Sequence, residues 1–338
     1  MTQAQEKPPA PAGGYPAGVE EIRYPVPADR SEQPALFWKP EKSGKGGEKV
    51  PLLVALHTWS SDYRQAGGEA LYARWCQDRG WVFIHPNFRG PNRAPEALGS
   101  DLAIADIRAA VEFAKSVAAV DESRIYAVGV SGGGHITQLL AGRAPEIWAG
   151  ISSWCGISDI AAWHADTTAA GRAKYARDIE RALGGPPDSS PARAEDARHR
   201  SPLTWLENAA GVPLDLAAGL DDGRSGSVPF THSLRAWNAV APADARLSEE
   251  AIAAFYETRQ PPPGVGSPVE DALYGKRPPV FRLVRDNTRV TIFRGGHEIV
   301  HEAALNWLAA QRKGQPANWN PPKIGALEAT DADTQSGK

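Results

Sequence analysis

The chain has 338 residues, 42% of them hydrophobic and 23% charged, with a formal net charge of −3; it carries the apolar material for a sizeable core and no excess of either sign. No Lys/Arg block marks a nucleic-acid or acidic-membrane surface. No uninterrupted apolar run approaches the roughly 20 residues that a transmembrane helix needs, so nucleic acid and membrane are excluded as partners.

The first 18 residues are rich in Pro, Ala and Gly and lack the basic and apolar regions of a secretory signal, so residues 1–18 are expected to form a disordered leader. Leaders of this composition often follow a cleavage site. The expectation leans to a secreted or periplasmic protein whose signal peptide is absent from this chain, and otherwise to a cytoplasmic one. Eleven tryptophans suit an enzyme that handles sugars or aromatic esters.

"VEEIRYPVP" and "QPALFWKP" read as two edge strands, followed by a Gly/Lys-rich turn. Apolar runs over 50–59, 81–88, 124–130, 148–156, 213–220 and 289–296 then read as buried strands, and apolar residues at three- and four-residue spacing predict helices over 68–79, 101–118, 133–143, 228–241 and 302–312. This alternation predicts an α/β fold, a mostly parallel central sheet flanked by helices. Two long segments, about 159–211 and 242–288, read as insertions over one edge of that sheet. The expected organisation is a single domain over 19–314 and a flexible polar tail over 315–338. Cys76 and Cys155 form neither a disulfide framework nor a metal pair and read as buried thiols.

The chemistry starts at Gly129-Val130-Ser131-Gly132-Gly133, one G-x-S-x-G. An apolar strand runs into it and an apolar-faced helix runs out, the setting that forces a serine into a tight turn at a helix N-terminus, where developing negative charge is favoured. A phosphate-binding turn is the bland alternative, but Ser131 stands where a dinucleotide fingerprint needs its second glycine. A serine hydroxyl needs a base oriented by a carboxylate. In an open parallel sheet these groups belong at the carboxyl ends of strands. Asp221 and Asp222 follow one such strand and His297 follows another, in chain order Ser, Asp, His.

With these elements written "GVSGG", "GLDDGRSGSVP" and "GGHE", the sequence resembles the α/β-hydrolase fold, and within it the prolyl-oligopeptidase-like branch, over roughly residues 50–311. The resemblance implies Ser131 as nucleophile, His297 as base and Asp222, in the last slot of G-x-x-D, as acid; Asp221 competes, and Asp159 is a third candidate. It also implies an oxyanion hole made by the Gly132 amide and by an amide of the loop after the strand over 50–59. The family writes His-Gly there, and this chain departs from it with His57-Thr58-Trp59. Trp59 is taken as the donor, with Thr58 second.

"HEIVH", His297 to His301, also spells a zinc-protease helix. The usual positions for a third ligand are empty of one, and the two glycines before His297 place it at a strand end; Glu298 and His301 then begin the last helix as an N-terminal charge and a solvent-facing residue. Trp154, Trp163 and Trp205 are candidates for a substrate pocket, with His164 beside them, and core packing is the alternative for each. Arg198 and Arg200 are candidates to hold a substrate carboxylate, surface ion pairs being the alternative. His135 is expected to serve helix packing. The reading that explains most of the chain is a serine hydrolase cleaving carboxylic esters (small acyl, sugar or aromatic) through an acyl-enzyme, with no cofactor or metal and a small-molecule or carbohydrate ester as partner. A peptidase of the same branch is the alternative. Peptidases of the branch usually carry an N-terminal propeller, and the roughly fifty residues before Val50 are expected to be too few to build one, which favours the esterase. A zinc hydrolase using His297 and His301, and a non-catalytic binding protein on the same scaffold, stand further back.

Overall fold

The computed structural model describes residues 13–44, 46–209, 211–266 and 268–323. Nine strands form one sheet: β1 (Glu20–Val26), β2 (Ser31–Trp38), β3 (Val50–Leu56), β4 (Val82–Pro86), β5 (Val120–Val130), β6 (Gly150–Trp154), β7 (Leu214–Gly219), β8 (Pro279–Arg285) and β9 (Thr288–Phe293), in the order β1-β2-β4-β3-β5-β6-β7-β9-β8. From β4 to β9 every neighbouring pair is parallel; β1, β2 and β8 are antiparallel additions at the two edges. This is the expected α/β-hydrolase architecture, a mostly parallel, unclosed sheet.

The side-chain alternation of a strand divides the core between the sheet's two faces. On β3, Leu52, Val54 and Leu56 pack into one cluster while Leu53 and Ala55 pack into the other; on β5, Ile125 and Ala127 oppose Tyr126 and Val128 in the same way. Helices α2 (Asp101–Val117), α3 (Gly132–Arg143), α7 (Thr231–Val240) and α8 (Glu249–Thr258) cover the first face, and α1 (Gly68–Arg79) and α9 (His301–Ala309) the second. The first long insertion folds as α4 (Ile160–Ala169), α5 (Ala173–Leu183) and α6 (Pro191–His199). These three helices build a third, smaller cluster that takes in Trp59 and Val228 from the sheet domain. Among the described residues no helix is long and apolar enough to cross a membrane.

The second insertion supplies α8 and the edge strand β8. The leader over 1–18 and the tail over 315–338 lie outside the described residues except for 13–18 and 315–323, and those parts pack on the body. Tyr15 is buried, with its hydroxyl 2.9 Å from His85 Nδ1, and Trp319 stacks on Trp307 with ring centroids 5.4 Å apart. Aromatic rings inside otherwise Pro/Gly-rich segments supply the apolar contact that overrides the composition.

Candidate active site

The parallel strands β3, β5, β7 and β9 all end at the same edge of the sheet, and each delivers one part of the site there. β5 passes Ser131 into α3 with φ 61° and ψ −119°, a left-handed backbone that an L residue adopts at a cost. The turn is held open by bonds on both sides: the Ser131 amide donates to the Trp154 carbonyl at 2.9 Å, and the His135 amide donates to the Ser131 carbonyl at 2.9 Å. Gly129 has to be glycine, since a Cβ there would stand 2.4 Å from the Gly133 carbonyl carbon.

Asp222 and His297 are zipped together by the β7–β9 pairing, which continues past the strands: the Leu220 amide donates to the Phe293 carbonyl at 2.8 Å and the Asp221 amide to the Gly295 carbonyl at 2.9 Å. Asp222 is fully buried. Its Oδ2 accepts from His297 Nδ1 at 2.8 Å, and its Oδ1 accepts from the Gly223 and Val228 amides at 2.9 and 3.1 Å. These bonds fix the imidazole tautomer, with the proton on Nδ1 and a lone pair on Nε2. Asp221 turns the other way, to an exposed ion pair with Arg259 at 3.1 Å, and Asp159 caps α4 by accepting from the Ala162 amide at 3.0 Å. Of the three carboxylates, Asp222 alone is bonded to His297.

Ser131 and His297 share the wall of a cavity of about 870 Å3, together with Trp59, Tyr175 and Ser227. Among the described residues Ser131 Oγ and His297 are not hydrogen-bonded; Nε2 faces the Ser227 hydroxyl at 3.3 Å. At the end of β3 the Thr58 amide is already bonded to Gln65 Oε1 at 3.0 Å, whereas the Trp59 and Gly132 amides make no bond among the described residues. The two lie side by side: a Cβ on Gly132 would be 2.5 Å from the Trp59 nitrogen. Two N–H groups unbonded among the described residues beside a serine hydroxyl have the form of an oxyanion site, and the Thr58 amide is occupied by its bond to Gln65.

The zinc-helix spelling is not realised as a helix. α9 starts only at His301, so His297 precedes it and the two histidines do not share one helical face. Glu298 also lies before the helix, bonded to Arg277 at 2.8 Å. His301 lines the cavity, with its ring 5.3 Å from that of Tyr72, and so is not simply solvent-facing as its position suggests. One trio of metal-capable side chains occurs among the described residues, Cys155, Asp222 and His297, with donor atoms within 4.8 Å of one another. Burial pushes the Cys155 thiol well above its ordinary range, so it keeps its proton and is poorly prepared to ligate.

The expected pocket tryptophans require correction. Trp154 is fully buried against Tyr274 and Phe293, Trp205 donates to the His199 carbonyl and lies under Arg143, and Trp163 is buried behind Trp59, ring centroids 4.5 Å apart; none of them lines the cavity. Trp154 donates to Ser152 Oγ and Trp205 to the His199 carbonyl, while Trp163 donates to the Ser227 carbonyl of the loop beside His297, so each wide aromatic near a strand end is absorbed by packing. Arg200 is buried, donating to the Ala97 carbonyl, Arg198 pairs with Glu195, His164 bonds Glu180 at 2.9 Å, and His135 bonds the Arg200 carbonyl at 2.8 Å, with burial pushing its pKa down to about 4. Sequence reasoning missed Ser227, five residues beyond Asp222 in the same quoted segment, and Tyr175 and Asp178 on α5. Asp178 Oδ2 accepts from Trp59 Nε1 at 3.3 Å. An amphipathic insertion helix gives no sign of which polar residue turns inward.

The fold and the site together define a class of protein in which an unclosed, mostly parallel sheet brings a serine, a histidine and a buried carboxylate to one edge. The model of the prolyl oligopeptidase family matches residues 70–252, more than half of the chain, and the chain belongs to that family. The match takes in Ser131 and Asp222 and stops before His297. A stretch of 117 residues is 26% identical to feruloyl esterase B of Thermothelomyces thermophilus, covering 32% of this chain and 40% of that protein. Among solved structures, the acylaminoacyl peptidase of Pyrococcus horikoshii is similar with a TM-score of 0.58 at 16% identity, over 89% of this chain and 43% of that one. Prolyl oligopeptidase B of Galerina marginata is similar with a TM-score of 0.53 at 16% identity, over 66% of this chain and 31% of that one. The chain thus spans less than half the length of these proteins, and at such identities the structural likeness speaks for the fold.

Proposed function

We propose that the chain is a serine esterase that cleaves carboxylic esters of small acyl, sugar or aromatic type through an acyl-enzyme. The observation that carries this is the bond of 2.8 Å between His297 and the buried Asp222, opening onto the cavity that Ser131 lines. His297 Nε2 takes the Ser131 proton as Oγ bonds to the ester carbon, and the carbonyl electrons move onto an oxygen that rests on the Gly132 and Trp59 amides. Collapse of this species breaks the carbon–oxygen bond to the alcohol, which leaves with the proton from His297. Water then repeats the sequence and frees the acid. Asp222 holds the imidazole in register throughout. The match to feruloyl esterase B and the aromatic walls given by Trp59 and Tyr175 support an aromatic acyl group.

Membership of a family named for a peptidase favours a second reading, hydrolysis of an aminoacyl amide by the same groups. Turnover of p-nitrophenyl acetate and cinnamate, set against aminoacyl p-nitroanilides, decides between them. The expected outcome is ester turnover that survives chelation, is abolished by Ser131→Ala, falls on the order of a thousandfold or more in Asp222→Asn, and stays within a factor of about two in Asp221→Asn. Anilide turnover exceeding ester turnover would establish the peptidase, and chelator-sensitive activity in Ser131→Ala would end both readings.

A further inference from the structure

The loop over residues 223–228 wraps the Asp222–His297 pair. It fits closely: a Cβ on Gly226 would stand 2.1 Å from Asp222 Oδ1 and 2.6 Å from His297 Cβ. The next residue, Ser227, brings its hydroxyl to 3.3 Å from His297 Nε2. With the Nδ1 proton committed to Asp222, Nε2 carries a lone pair, so the Ser227 hydroxyl donates and the ring accepts. The loop is tied from outside by the first insertion. Trp163 Nε1 donates to the Ser227 carbonyl at 2.8 Å, and the Arg172 guanidinium donates to the Gly223 and Arg224 carbonyls, both at 3.2 Å.

The lone pair that Ser227 holds is the one a base must offer to Ser131. Resting on the esterase reading, we propose that Ser227 is a positioning residue that clasps His297 Nε2 in the free enzyme and yields it to the Ser131 hydroxyl when substrate fills the cavity. Both hydroxyls line that cavity with the imidazole, so the two partners of the exchange open onto the same space. Trp163 and Arg172 set where the clasp stands, which makes the insertion part of the base's surroundings as well as a cover.

The test uses the full chain as parent, Ser227→Ala and Ser227→Thr, treated with a small alkyl fluorophosphonate, with the modified residue located by peptide mass spectrometry. Ser227→Ala removes the competitor and is expected to label at Ser131 about two- to tenfold faster than the parent, the size of one exchanged neutral hydrogen bond; Ser227→Thr keeps the hydroxyl and stays near the parent rate, and the melting temperatures agree. In a Ser131→Ala background, where no nucleophile competes, the 15N resonance of His297 Nε2 is expected to move when Ser227→Ala is added. A labelling rate in Ser227→Ala equal to or below the parent's, or an unmoved resonance, overturns the clasp. Absence of label at Ser131 in the parent sinks the esterase reading instead, and the resonance then decides by itself whether the Ser227 bond exists.

Discussion

Adjacent residues of the same type can have unrelated fates, and Asp221 and Asp222 illustrate why. The turn after β7 points one carboxylate outward to Arg259 and the other inward, where two amides and an imidazole saturate it. A buried charge is tolerated only when paired in this way. Glu69, on α1 in the cavity wall, is the opposite case. Gln65 Nε2 donates to its Oε1 at 2.9 Å, but Oε2 is buried without a partner among the described residues, and burial pushes the carboxyl up to about 8. An acid whose folded pKa is raised contributes stability that is fully present below the ordinary glutamate range and is lost as pH rises through about 8. Glu69→Gln cannot titrate. Its melting temperature relative to the parent is therefore expected to improve steadily from about pH 5 to about pH 9, and a difference that does not change with pH would show the carboxyl to be better solvated than its surroundings imply.

At the scale of elements, α5 does more than cover the cavity. Lys174 donates to the Ser60 hydroxyl at 2.9 Å, and Asp178 receives the Trp59 indole N–H, so one helix holds both the residue whose amide is proposed for the oxyanion and the residue after it. Asp178→Ala is expected to lower ester kcat about tenfold with little change in KM, because a loosened Trp59 amide is missed in the transition state more than in the ground state. Asp178→Asn keeps an acceptor oxygen and is expected to recover most of the loss, and steady-state kinetics on a p-nitrophenyl ester read both. The edge strand β8 shows what an element needs to be visible in sequence. Its residues, "PVFRLVR", mix arginines into a half-exposed strand that only the pairing with β9 makes regular, and no long apolar run announces it.

For the molecule as a whole, the division into two large clusters across one sheet and a small one under the insertion implies unequal resistance to unfolding. Trp59 belongs to the small cluster, so its seat depends on the part with the fewest apolar contacts to lose. Ester turnover is accordingly expected to fall at a lower urea concentration than far-UV ellipticity. Coincident midpoints in the two titrations would mean that the insertion unfolds only with the sheet.

The amino-acid sequence by itself determined the buried strands, most of the helices, the serine between them, and the carboxylate and histidine at later strand ends, because hydrophobic period and turn glycines are local signals. The orientation of each side chain at the rim was left to the tertiary structure. The β7–β9 register brings Asp222, which the G-x-x-D slot favoured, to His297 and leaves Asp221 outside, and only the packing of the insertion decides that Trp163 supports Trp59 while Trp154 and Trp205 serve the core. Which hydroxyl faces Nε2 and which amide is left unbonded are likewise settled by contacts between segments far apart in the chain, and no local pattern encodes them.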